Sequence, residues 1–276
     1  MASIASLIIF GLKFGIEFTG GSAMEVSFTD QRPTNEVITA GLADFNLGDI
    51  VVQPTGTNGA ILQFKGIDEA LHQKVLAKLQ DLAGAQEISF QYIGPSVGQD
   101  LKNKTLIAIM LSLFAITMYI AIAFRKAGRP VASWKYGVAS LVALFHDIII
   151  PLGVFSVLGH YYNVQITVPI IAALLTIIGF SVHDTIVIFD RIRENILRKG
   201  MGNFSETVDH SLNQTVGRSI STVATVLLVM FSLYFFGGET LKYFSLALIV
   251  GVTCGAYSSI FIASPMLVTW QKWSKA

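Results

Sequence analysis

VPIIAALLTIIGFSVHDTIVIF, residues 168–189, decides the class of this chain. Apolar residues fill about fifteen positions ahead of His183-Asp184. At ~1.5 Å per helical residue, ~20 residues cover the ~30 Å hydrocarbon layer, so the run reads as a membrane-spanning helix. An ionisable side chain inside such a helix costs at least ~2.5–3.5 kcal/mol, and by default it marks an ion path, a proton relay or a paired structural charge. A second pair, His146-Asp147, lies within YGVASLVALFHDIIIPLGVFSVL, residues 136–158. His183, Asp184, His146 and Asp147 are therefore candidate proton-coupling residues, in a protein that handles protons or ions.

Outward from these runs, the composition agrees. Of 276 residues, 53% are hydrophobic and 13% charged, against roughly 25% charged in soluble domains. Residues 14–104 carry 11 of the 18 acidic residues, so the chain reads as a polytopic membrane protein with one water-soluble insertion. A net charge of +1, with no basic stretch interleaved with aromatics, argues against nucleic acid. Cys254 is the only cysteine, which excludes an internal disulfide or a cysteine-based metal site. ASIASLIIFGL, residues 2–12, is ~17 Å long as a helix, too short to span alone. It lacks the basic start and A-x-A-like site of a signal peptide. Residues 1–13 are expected to be the truncated end of a first transmembrane helix.

The insertion has a regular order. AMEVSFT alternates as a strand, PTNEVITAGLADF has helical spacing after Pro33, and DIVVQPTG and AILQFKG read as strands around the turn Thr57-Asn58-Gly59. DEALHQKVLAKLQDLA is amphipathic, with Leu71, Val75, Leu79 and Leu82 on one stripe, and QEISFQYIG closes as a strand. The order β-α-β-β-α-β predicts a ferredoxin-like α+β domain over 14–103. Five complete spans are expected in 104–276, at about 104–124, 136–158, 168–189, 219–236 and 243–269. Lysine and arginine number four in the loop 125–135, five in 190–218 and two in the tail, against one in the alternate loops together. Basic loops stay in the cytoplasm, which places the insertion outside.

Ala247, Gly251, Gly255 and Ser259 fall four apart, as do Ala172 and Thr176 ahead of Gly179 and His183, and such stripes let helices pack closely. Phe204, Val208, Leu212 and Val216 recur every four residues after Ser205, a candidate cap, and predict an amphipathic helix lying at the membrane surface. Asp184 falls in the cytoplasmic half of its span, and Arg218, at the start of the next, is at comparable depth. Pairing and desolvation act on a carboxylate's protonation in opposite senses, so the two together keep it within reach of neutral pH. Ser221, Thr222 and Thr225 follow Arg218 and are candidates to line a wet path. A static ion pair, with Arg218 reaching to the interface, is the competing reading. His72 and His160 read as solvated residues of exposed segments, and Asp190 as the helical partner of Arg193.

Other classes have weaker support. An intramembrane aspartyl protease would use Asp147 and Asp184, but requires Gly-x-Gly-Asp where this chain reads Gly179-Phe180-Ser181-Val182-His183-Asp184. Gly-x-Ser-x-Gly occurs only as Gly94-Pro95-Ser96-Val97-Gly98, outside the apolar runs, and His-Glu-x-x-His does not occur. A proton-coupled small-molecule or lipid transporter of the resistance-nodulation-division type suits the same features, as does a passive scaffold.

Several blocks carry a resemblance. They are Phe14-Gly15-Ile16-Glu17-Phe18-Thr19-Gly20-Gly21, Gly94-Pro95-Ser96-Val97-Gly98, Ala172 to Gly179 followed by Asp184-Thr185, and Phe189-Asp190-Arg191-Ile192-Arg193-Glu194-Asn195. Asn213-Gln214-Thr215 with Arg218, and Tyr257-Ser258-Ser259 with Ser264-Pro265, complete the set. Together the blocks resemble the SecF family, the smaller subunits of the SecDF protein-export complex in the resistance-nodulation-division superfamily. The resemblance implies six helices, an extracytoplasmic ferredoxin-like domain and residence in the bacterial plasma membrane. It implies SecD as the pseudo-symmetric other half, with SecYEG, YajC and YidC as further partners and an unfolded exported polypeptide as cargo, drawn across after SecA-driven translocation. It further implies use of the proton-motive force, no cofactor and no enzymatic chemistry, with Asp184 and Arg218 as the coupling pair. The family has Asn where this chain has His183.

Overall fold

The computed structural model describes residues 1–29, 31–124, 132–199 and 203–273. Most of the expected loop 125–135 and the end of the basic tail lie outside the described residues. The chain forms two compact units, one of residues 9–106 and 155–168, the other of 1–8, 107–154 and 169–276.

In the first unit, helix α2 (Ile16–Thr19) leads into β1 (Gly21–Phe28), α3 (Asn35–Gly41), β2 (Val51–Thr55), β3 (Gly59–Phe64), α4 (Glu69–Ala83) and β4 (Ala85–Ile93). The sheet order is β2-β3-β1-β4, and every pairing is antiparallel. This is the expected β-α-β-β-α-β arrangement. Alternation explains it: Met24, Val26 and Phe28 of β1 and Ala60, Leu62 and Phe64 of β3 are buried on one face, as the period of two requires. Asp68 caps α4 by accepting from the Leu71 amide at 2.8 Å, and Gly84 ends it in the left-handed region at φ 61°.

Two of the quoted blocks meet here. Gly20 lies at φ 76°, and a Cβ there would sit 2.7 Å from Pro95 Cα. A Cβ on Gly98 would in turn sit 2.9 Å from the Gly20 amide nitrogen. Glycine is required because backbone passes against backbone. Gly15 donates to the Ile166 carbonyl at 2.9 Å, and Ile166 donates to that of Lys13 at 2.7 Å, tying the segment 155–168 to this unit.

One expectation fails. His72 is buried, 5% exposed, where the sequence predicts a solvated residue. It occupies the apolar stripe with Val75 and Leu79, its ring stacked on Phe90 at 3.8 Å. Nδ1 meets Glu69 at 3.2 Å and Nε2 meets Glu87 at 2.5 Å. Paired carboxylates make the burial of a polar ring tolerable. His160, by contrast, is exposed and stacks on Phe10 at 4.3 Å.

Among the described residues, five helical stretches are long and apolar enough to cross a membrane. They are α5 (Pro95–Ala123), α6 (Ser133–Tyr162), α7 (Val168–Lys199), α8 (Phe204–Phe236) and α9 (Glu239–Ser258), the last running through a π turn (Ser259–Ala263) into α10 (Ser264–Trp273). Helix α1 (Ala2–Phe10) has nine residues and is too short to span. It rests on α6: Ser6 donates to the Gly153 carbonyl at 3.1 Å. A Cβ on Gly153 would come within 2.6 Å of the Ser3 backbone.

These helices are longer than the apolar runs that predict them. Helix α7 continues past Phe189 because side chains three and four apart pair along it: Arg193 with Asp190 at 2.8 Å, Arg191 with Glu194 at 2.5 Å and Arg198 with Glu194 at 2.9 Å. The separate surface helix expected after Ser205 does not form. Helix α8 starts at Phe204 under an Asn203 cap and runs unbroken through Gly217. A lone glycine costs about 1 kcal/mol and leaves the hydrogen-bond ladder intact. Its buried stripe is Phe204, Val208, Ser211, Thr215 and Ser219, turning from apolar to hydroxylic toward the membrane.

The expected packing stripe on α9 is present. A Cβ on Gly251 would sit 2.2 Å from the Ile177 side chain, and one on Gly255 would sit 3.3 Å from Ser181. Helices α7 and α9 therefore cross at close range along small residues. The corresponding stripe on α7, Ala172, Thr176, Gly179 and His183, is exposed. The π turn follows from Pro265, which has no N–H to bond back and crowds the preceding turn. Ser264 Oγ instead donates to the Ser259 carbonyl at 2.9 Å.

Candidate functional site

Helices α6, α7, α8 and α9 bring the two membrane carboxylates into one hydroxyl-lined region. Asp147 is fully buried. Its Oδ1 meets His146 Nδ1 at 2.9 Å. Its Oδ2 accepts from Ser181 of α7 at 2.6 Å and from Ser258 of α9 at 2.7 Å. Three donors on one carboxyl satisfy a group that water cannot reach. Pro151, four residues on, cannot donate to the Asp147 carbonyl, which loosens the backbone beside the site.

Asp184 lies one turn along α7 from Ser181, on the same face. Ser219 of α8 donates to its Oδ1. Its Oδ2 is buried with no hydrogen-bond partner. Beside it is a cavity of about 30 Å³ lined by Ser181, His183, Asp184, Arg218, Thr222 and Gly255, among others. That volume holds a water or two. Next to Asp184, Thr185 Oγ1 and Ser259 Oγ are 3.0 Å apart, and Ser259 donates to the Gly255 carbonyl at 2.9 Å. Serines and threonines thus surround both carboxylates, and the Gly255 carbonyl accepts from Ser258 at 3.1 Å and from Ser259 at 2.9 Å.

The placements of the predicted residues differ in kind. Asp184, His183 and Arg218 line one cavity, but among the described residues Asp184 and Arg218 form no ion pair. Asp147 and His146 form a separate bonded pair. Ser221, Thr222 and Thr225 all bond back to their own helix, and of the three only Thr222 lines the cavity. The hydroxyl that reaches Asp184 is Ser219, one residue after Arg218, which sequence reasoning passed over. Ser181 and Ser258 were missed as ligands of Asp147 too. Their signals were the spacing of Ser181, three residues before Asp184, and the quoted block Tyr257-Ser258-Ser259. Among the described residues, no group of three or more His, Cys, Asp or Glu could hold a metal ion.

The fold and site define a polytopic helical membrane protein with an inserted ferredoxin-like unit and two intramembrane carboxylates, one buried and one half-buried. Comparison with known proteins specifies which. The family model described as protein export membrane protein SecD/SecF, C-terminal, matches residues 73–273, and the SecD/SecF GG motif matches residues 5–31. The chain belongs to the SecD/SecF family of protein export membrane proteins. It is 40% identical to the protein translocase subunit SecF of Thermobaculum terrenum, covering 96% of this chain and 86% of that one. It is 38% identical to the SecF of Desulfurispirillum indicum, over 95% and 83%. Among solved structures it resembles SecDF of Thermus thermophilus, a translocon-associated membrane protein, with a TM-score of 0.86 and 31% identity over 98% of this chain. A structure of SecDF in a super-membrane-facing form gives 0.69 and 30% over 99%. The chain spans 36% of the length of each SecDF chain.

Proposed function

We propose that this chain is a SecF-type subunit accessory to the Sec protein translocase, using the proton-motive force to assist late-stage export of unfolded polypeptide through SecYEG. One observation carries the mechanism: a water-sized cavity inside the helical unit holds Asp184, with an unpartnered oxygen, together with Arg218. Proton uptake on that oxygen removes one unit of charge from a low-dielectric pocket, where charge interactions are strongest. The balance between Asp184, Arg218 and Ser219 then changes, and with it the preferred setting of α7 against α8. Binding a proton more tightly in one setting than in the other is what allows a gradient to drive the change.

Asp147 with His146 serves as the second proton-bearing pair. The chemistry is proton transfer alone, with no covalent step and no cofactor. A SecD-like partner would supply the pseudo-symmetric other half, while SecYEG, YajC and YidC are the remaining partners, in a lipid bilayer. Family membership favours a location in the bacterial plasma membrane, and the basic loops favour the ferredoxin-like unit outside. A small-molecule or lipid transporter of the same superfamily is not favoured, since the relatives described above are translocase subunits.

Asp184→Asn keeps the shape and removes the exchangeable charge. In vesicles holding the variant, stimulation of export by an imposed proton gradient should be lost, while insertion and co-purification with SecD persist. Stimulation equal to wild type would refute the role assigned to Asp184.

A further inference from the structure

A second cavity, of about 550 Å³, opens between α5, α7 and α8 at the polar end of the spanning part of α7. One wall is apolar: Tyr119, Ala123 and Phe124 from α5, with Ile186 and Val187 from α7. The other carries Arg191, Arg193 and Arg218 against Asp190 and Glu194. Three cations face two anions. The excess is larger than the count suggests, because Glu194 is also held by Arg198 at 2.9 Å, which does not line the cavity. The donors are not all used. Arg193 reaches Asp190 through one terminal nitrogen, but its Nε is buried with no partner. Arg218 is exposed and joins no ion pair among the described residues. Arg191, by contrast, is fixed by Gln214 at 2.7 Å and Glu194 at 2.5 Å, so its guanidinium is held in place before any ligand arrives.

We propose that this cavity binds the headgroup phosphodiester of an anionic phospholipid. The ligand class follows from the two walls. Spare guanidinium N–H groups in a fixed fork match phosphate oxygens. The apolar wall continues toward the membrane centre, where the acyl chains of the same molecule would lie. Basic pockets between membrane helices at the bilayer surface suit lipid headgroups on these grounds. A zwitterionic lipid brings its own ammonium, which Arg191 and Arg193 would repel. Arg218 also lines the Asp184 cavity, so the test rests on Arg191 and Arg193, which do not.

The test is native mass spectrometry of the full chain released from mild detergent. Bound phosphatidylglycerol and phosphatidylethanolamine are counted after exposure to equal amounts of each, with and without inorganic phosphate. Phosphatidylglycerol should be retained preferentially, with retention falling about fivefold for each of Arg191→Gln and Arg193→Gln. Asp190→Asn removes a competing anion and should raise retention, a gain that misfolding cannot produce. Equal retention of the two lipids, or retention unchanged in the arginine variants, would overturn the proposal. Displacement of phosphatidylglycerol by inorganic phosphate would assign the site to a free anion and overturn the lipid.

Discussion

A serine hydroxyl has one proton to give, and Ser258 has two acceptors within reach, Asp147 Oδ2 at 2.7 Å and the Gly255 carbonyl at 3.1 Å. With Asp147 ionised, Ser258 donates to it. With Asp147 protonated, the carboxyl donates to Ser258, which turns its own proton to Gly255. Both charge states of Asp147 are thus satisfied without moving a heavy atom. Ser258→Ala leaves the buried carboxyl short of a partner and should cost about 1–3 kcal/mol, read as a lower unfolding midpoint in detergent; an unchanged midpoint would show that Ser181 and His146 suffice. His183 is the other informative residue, exposed beside Asp184 in the cavity lining. His183→Asn puts back the amide that the family carries and should keep gradient-driven export. Loss of export in that variant would show that the imidazole itself is needed. The carboxylates were legible in the sequence because charge in an apolar run is costly. The serines were not, because a hydroxyl in a membrane helix can bond to its own backbone, as Ser221 does.

Elements were legible where period and caps agreed, as for α4 and the alternating strands. They were misread where polarity was taken for a break: the polar stretch before Arg218 belongs to α8, whose buried stripe keeps helical spacing from Phe204 to Ser219. His72 shows the opposite error, a polar residue placed in solvent that in fact joins α4 to β4. Burial pulls its pKa down, but the hydrogen bonds and charges of Glu87 and Glu69 together outweigh this and hold it above the ordinary value. Both ring nitrogens face carboxylates, and only the imidazolium can donate from both. A raised folded value means the contribution is complete below the unfolded pKa of ~6.5 and is lost as pH rises through the folded value. Hydrogen exchange of the α4 amides should accordingly quicken, beyond the intrinsic rate change, as pH rises from about 6 to 9. In His72→Gln that excess should vanish, and if it persists, the clamp lies elsewhere.

At the scale of the whole molecule, the class was the easiest thing to read, since five long apolar helices leave few alternatives. They are unequally covered: α5 and α8 are largely bare within their unit, while α6, α7 and the α9–α10 stretch bury close to half of their most apolar windows. The covered three hold Asp147, and α8 meets them through one stripe, apolar at Phe204 and Val208 and hydroxylic at Ser211, Thr215 and Ser219. Which faces are covered was not legible, because lipid and neighbouring helices are equally apolar. Orientation rests on the basic loops. Protease added to the outer face of intact spheroplasts should cut within 23–94 and spare 190–218. The reverse pattern would invert the topology and remove the ferredoxin-like unit from the path of an emerging polypeptide.

The π turn at Ser259–Ala263 has a consequence for how this gene can change. Upstream, buried positions run through Val252, Gly255 and Ser259; downstream they continue through Ala263 and Ser264 to Leu267 and Gln271. A π turn holds one more residue than an α turn, and across it both halves keep their faces. Gain or loss of a single codon elsewhere in the helix would swing one half by ~100° and turn its buried side toward lipid. Loss of one codon at the turn itself would instead return it to α-winding and leave both packed faces in place.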